Sequence, residues 1–179
     1  MRKRFARVKS IPFLIWHARH ELYHVLIGLV WAWVLREIWH EFNPRWIMLS
    51  VFASLLPDLD HIIYFLGYGR TDEYTVQIKN FLKNKQWRVL ISSLEIGHKY
   101  NTNLRYHNYY TMVGLILLTA GSFLYDWNTG VILFGAMFLH YVFDVWDDIL
   151  TLGYVNPNWK RWGRKRKLEK VNVSSQTGS

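Results

Sequence analysis

Residues 19–24 read RHELYH, so His20, Glu21 and His24 stand in the His-Glu-x-x-His spacing. On a helix that spacing offers two imidazoles to one zinc ion and a carboxylate to its water. Similar groups recur along the chain: Asp58, Asp60 and His61 in SLLPDLDH, His107 in LRYHNYY, and His140, Asp144, Asp147 and Asp148 in LHYVFDVWDD. Asp58 and His61 are one helical turn apart, and His140, Asp144, Asp147 and Asp148 share one face, as do His17, His20 and His24. The chain has no cysteine, so any metal is held by His, Asp or Glu. Such a ligand set suits zinc or another first-row divalent cation. There are enough groups for one ion, or for two spaced to clamp a phosphoester.

Long apolar elements carry these groups. Hydrophobic residues make up 51% and aromatics 17% of the 179 residues, yet mean hydropathy is −0.03, because strongly basic segments offset strongly apolar ones. A helix needs about 20 mostly apolar residues to cross a bilayer, and four stretches qualify, roughly 11–35, 46–68, 108–125 and 129–150. The chain is therefore expected to be an all-α, polytopic membrane helix bundle. Residues 1–156 form one embedded domain, and 157–179 a basic, partly disordered tail. The stretch 69–106, with apolar residues at mixed spacing among lysines, is expected to lie amphipathically on the interface.

Charge orients the spans. Of the 22 Lys and Arg residues, 19 fall before residue 10, within 69–106, or after residue 159. With four crossings all three regions lie on one side, which the positive-inside rule makes cytoplasmic, together with both termini. The net charge of +9 then meets anionic lipid headgroups rather than nucleic acid. Every His and Asp cluster falls in the cytoplasmic half of its span. Ionisable groups in a membrane are costly when isolated. A single His there reads most simply as an interhelical hydrogen-bond partner, but the joint placement of Asp58, His61, His140 and Asp144 does not.

The segment SLLPDLDHIIYFLG resembles the L-P-D-[IL]-D-H segment of the YdjM-like, LexA-regulated membrane-bound metal-dependent hydrolases. YHVLIGLVWAW is similar to that family's first-helix pattern, which singles out His24. GAMFLHYVFDVWDDILTLGYVNPNWKRW resembles its last helix, with Asp144 fitting the distance from His140 and Asp148 fitting the distance to the Leu-Thr that follows. Of the family's H-R-G-x-T-H-S stretch, NTNLRYHNYYT keeps only His107; His98 is the nearby substitute for the missing His. The resemblance implies a multi-pass inner-membrane hydrolase with His24, Asp58, His61, His107, His140 and Asp144 as metal ligands. Asp60, two positions past Asp58, is the expected general base, and a lipid phosphoester the expected substrate. Two other readings stay open. One is an intramembrane zinc protease in which His20, His24 and Asp60 bind the metal and Glu21 is the base. The other is a non-catalytic protein whose metal staples its helices.

Overall fold

The computed structural model describes residues 10–91, 93–94 and 104–160, and only the backbone of 10–20. It is built from helices. The first, α1, runs Ser10–Trp39 and stops at His40, whose φ of 52° lies in the left-handed region. Asn43 then caps α2 (Pro44–Leu55): its side chain accepts from the Arg45 N–H, and Pro44 sits at the first helical position, where its missing N–H and fixed φ suit a helix start.

Pro57 interrupts what the sequence predicts as one even span. It has no N–H to give to residue 53 and its ring crowds that carbonyl, so the chain tightens into a 3-10 turn at Leu56–Asp58. It then resumes as α3, Leu59–Leu66. The tight turn falls within LPDLDH, so that Asp58 closes the turn and Asp60 stands in the first turn of α3.

Beyond α3, α4 (Glu73–Lys83) buries Tyr74, Thr75 and Ile78 against Tyr64 and Leu90. Gly69 is required here, since a Cβ would lie 2.3 Å from the Tyr64 ring. Tyr64 donates to Asp72 Oδ2 at 3.1 Å, and Tyr74 to the Ser93 carbonyl at 2.9 Å. The amphipathic stretch expected on the interface thus turns its apolar face onto its own chain, as a cap over the end of α3. Asn108 caps α5 (Tyr109–Leu124), accepting from the Thr111 N–H. After a short turn follows α6, Asn128–Leu152, closed by Gly153 in the left-handed region. A 3-10 turn, Pro157–Lys160, comes back against the bundle with Trp159 buried.

Helices α1, α2 and α6 pack against one another, and α5 packs along α6. The closest approach is at Gly28, where a Cβ would lie 2.6 Å from the Val51 Cα. Ser50 donates to the Gly28 carbonyl at 2.7 Å and Ser54 to the His24 carbonyl at 2.8 Å, the small-residue contact by which membrane helices associate. The outward faces are apolar: Leu26, Trp33, Met48, Phe52, Leu117 and Leu150 are all exposed, while the interior holds His and Asp.

Among the described residues, three segments are long and apolar enough to cross a membrane: Glu21–Trp39, Pro44–Leu66 and Asn128–Leu152. The sequence predicts a fourth at 108–125. That segment is α5, an apolar helix of 16 residues, about 24 Å at 1.5 Å per residue, shorter than a hydrocarbon core of about 30 Å. Residues 1–9 and 161–179, which carry the terminal basic runs, lie outside the described residues.

Candidate metal centre

The six side chains expected as ligands converge. His24, Asp58 and His140 form one group, Asp58, His61 and His107 a second, and His107, His140 and Asp144 a third, with the ligand atoms of each within 4.8 Å of one another. They arrive from five elements: His24 from α1, Asp58 from the Pro57 turn, His61 from α3, His107 from the loop before α5, and His140 and Asp144 from one face of α6.

His24 and His140 are fully buried, their rings stacked at 3.8 Å. The His140 Nδ1 sits 2.6 Å from the Ser54 carbonyl. A carbonyl can only accept, so Nδ1 carries the hydrogen and Nε2 presents a lone pair to the cluster when the ring is neutral. That Nε2 is 3.0 Å from Asp144 Oδ2 and 3.9 Å from Asp58 Oδ1. The carboxylate of Asp144 reaches both ways, its Oδ1 lying 3.5 Å from His24 Nε2 and its Oδ2 3.6 Å from His107 Nε2.

On the other side, His107 Nδ1 donates to Asp60 Oδ2 at 3.2 Å. Asp60 also accepts from the Tyr106 N–H at 3.0 Å and, through Oδ1, from the Tyr68 hydroxyl at 2.6 Å. Tyr68 in turn accepts from the Arg105 N–H. Burial and the Asp60 carboxylate hold the Tyr68 phenol above its ordinary range, so it remains a donor. Asp60 is therefore a buried carboxylate that orients His107, the arrangement that usually backs a metal-binding imidazole. His61 Nδ1 faces Asp58 Oδ1 at 3.8 Å, and these two side chains form the accessible rim, 29% and 24% exposed.

Two observations fit a cation. Asp58 Oδ2, His107 Nε2 and His140 Nε2 are buried without a hydrogen bond, although buried polar atoms are nearly always paired. Asp58 and Asp144 also add two carboxylates to imidazoles that are neutral as ligands, and a divalent cation balances that charge.

The structure separates residues whose spacing left them equivalent. Asp144 enters the cluster; Asp148, one turn on, is buried and accepts from the Trp159 indole at 2.8 Å. The Asp147 carbonyl accepts from Thr151 Oγ1. The side chains of His17 and His20, and His98, lie outside the described residues. Three supporting residues were not anticipated. Ser54 had a signal, its four-residue spacing from Ser50; Tyr68 and Trp159 had none that separates them from an interfacial aromatic belt.

No family model matches the chain, and comparison with curated proteins and with solved structures gives no match either.

Proposed function

We propose that the chain is a multi-pass membrane hydrolase using one or two divalent cations, zinc foremost, with a lipid phosphoester as substrate. The observation that carries this reading is the convergence of four His and two Asp with three orphaned buried ligand atoms, open on one side. His24, His107, His140, Asp58 and Asp144 would hold the metal, with His61 at the rim. Bound there, a divalent cation would polarise a scissile phosphoryl group and lower the pKa of its bound water toward neutrality. Ser54 fixes the His140 tautomer, and Asp60, backed by Tyr68, fixes that of His107. Asp60 acts here as a positioning residue rather than the general base that its place in the sequence suggests, because both its oxygens already accept hydrogen bonds. Asp58 and His61, on the accessible rim, are placed to receive a substrate and hold its proton.

In the bilayer α5 would complete a four-span arrangement with both termini cytoplasmic, its short length met by local thinning. The site then sits near the inner leaflet's headgroups, as in a YdjM-like inner-membrane hydrolase. The protease reading is less well supported: it makes Asp60 a ligand beside His24, whereas Asp60 faces His107.

The test is metal content and turnover of the purified protein. We expect stoichiometric metal, hydrolysis of a phospholipid panel, and loss of both in His140→Ala. Full metal occupancy in His140→Ala would overturn the site; stoichiometric metal without turnover of phospholipid or transmembrane peptide would leave the stapling role. Cleavage of the peptide, lost in Glu21→Gln, would restore the protease.

A further inference from the structure

The other end of the α1–α2 hairpin carries a second feature. A cleft of about 160 Å³ opens there, lined by Leu29, Ala32, Trp33, Phe42, Trp46 and Ile47, with Arg36, Glu41 and Asn43 at its rim. Arg36 lies twelve residues beyond His24 on α1, about 18 Å along the axis, so the cleft is separate from the metal centre. Its walls are lipid-facing: Leu29, Trp33 and Phe42 are 40%, 58% and 61% exposed. Its rim is at the helix ends, where α1 stops at Trp39 and α2 begins at Pro44, and Trp residues at helix ends mark a membrane–water boundary.

We propose that this cleft holds one phospholipid with a zwitterionic, primary-ammonium headgroup, its phosphate on Arg36 and its ammonium on Glu41. The commitment comes from charge. The floor is apolar and too small for a whole drug-sized ligand, so it takes a segment of acyl chain. The rim carries both signs, which a purely anionic headgroup would not match. Arg36 meets Glu37 through Nε at 3.7 Å and stands 5.9 Å over the Phe42 ring; a guanidinium has further N–H groups for phosphate oxygens. Asn43 already accepts from the Arg45 N–H through Oδ1, leaving Glu41 as the rim's carboxylate acceptor for a headgroup ammonium. A primary ammonium donates three hydrogen bonds, whereas a quaternary one donates none.

The experiment is native mass spectrometry of the full chain, extracted from nanodiscs of defined phosphatidylethanolamine, phosphatidylcholine and phosphatidylglycerol content. We expect one retained phosphatidylethanolamine, about tenfold over the other two at equal abundance, as charge-assisted hydrogen bonds warrant. Arg36→Gln should lose retention of all three. Glu41→Gln should keep a bound lipid but lose the discrimination. Arg45→Gln, the neighbouring cation outside the cleft, should change neither. Equal retention of the three lipids, or a preference unchanged in Arg36→Gln and Glu41→Gln, overturns the proposal. Metal content in the same samples reports on the distant centre, so failure of one reading is distinguishable from failure of the other.

Discussion

The two halves of the candidate metal centre are built differently. His24 and His140 are stacked and fully buried between helices held together at Gly28, Ser50 and Ser54, with Ser54 bonded to both elements. Asp58 and His61 sit on the accessible rim, on a turn that Pro57 tightens. A buried, pre-oriented wall facing an accessible one is what a site needs if it is to keep a cation and still admit a substrate, since tightly supported ligands hold their geometry while an open position allows chemistry. A purely structural site would be closed on both sides. His107 lies between the halves: buried like the first, yet carried on a loop and held there by Asp60.

The largest effect that would expose this difference is His140→Ala. His140 belongs to two of the three ligand groups, so metal affinity should fall at least about a hundredfold, as read by equilibrium dialysis with elemental analysis. An affinity within a few-fold of the parent would break the assignment of the buried wall. Asp60→Asn comes next. The amide keeps the size but weakens the acceptor for His107, and affinity should drop about 10–100-fold, with Tyr68→Phe smaller in the same direction. If Asp60→Asn binds metal normally but stops turnover, Asp60 is a base after all.

A third variant, His61→Ala, sharpens the contrast from the rim. It should cost less than about tenfold in metal affinity while removing most turnover, and a metal loss equal to that of His140→Ala would erase the distinction. The smallest effect belongs to Trp159→Phe, which keeps an aromatic against Tyr141 and Tyr109 but leaves buried Asp148 without the indole donor. Stability should fall by about 1–3 kcal/mol, seen as a lower Tm with metal stoichiometry unchanged.

How much of this was legible in the sequence can be traced residue by residue. The helices, and the three long spans among them, follow from runs of apolar residues whose length alone meets the bilayer. The level of the His and Asp groups follows from counting along those runs, but the choice of His24, Asp58, His61, His107, His140 and Asp144 among the ionisable groups at that level came from the family resemblance, and these six do come together. The span expected at 108–125 comes out as α5 within a residue of its expected bounds, and its 16 residues leave it shorter than the other three. The amphipathic insert was legible as amphipathic, yet not which partner its apolar face would take. It takes Tyr64, and apolar surface is satisfied equally by lipid or by side chains of the same chain.

What the sequence by itself determined is therefore which segments are apolar and long enough to cross a membrane, and at what level along them the polar groups stand. Helical period and span length act along one chain segment at a time. Only the tertiary structure decided that Asp144 enters the centre while Asp148 ties down Trp159, and that Asp60 turns to His107 instead of into the cluster. Asp144 and Asp148 lie on the same face of α6 one turn apart, and Asp58 and Asp60 stand two residues apart where the tight turn passes into α3. Spacing leaves Asp144 and Asp148 equivalent and sets Asp60 apart from Asp58 without naming its partner, and it is the neighbouring element each carboxylate meets, arriving from a distant part of the chain, that gives it its own task.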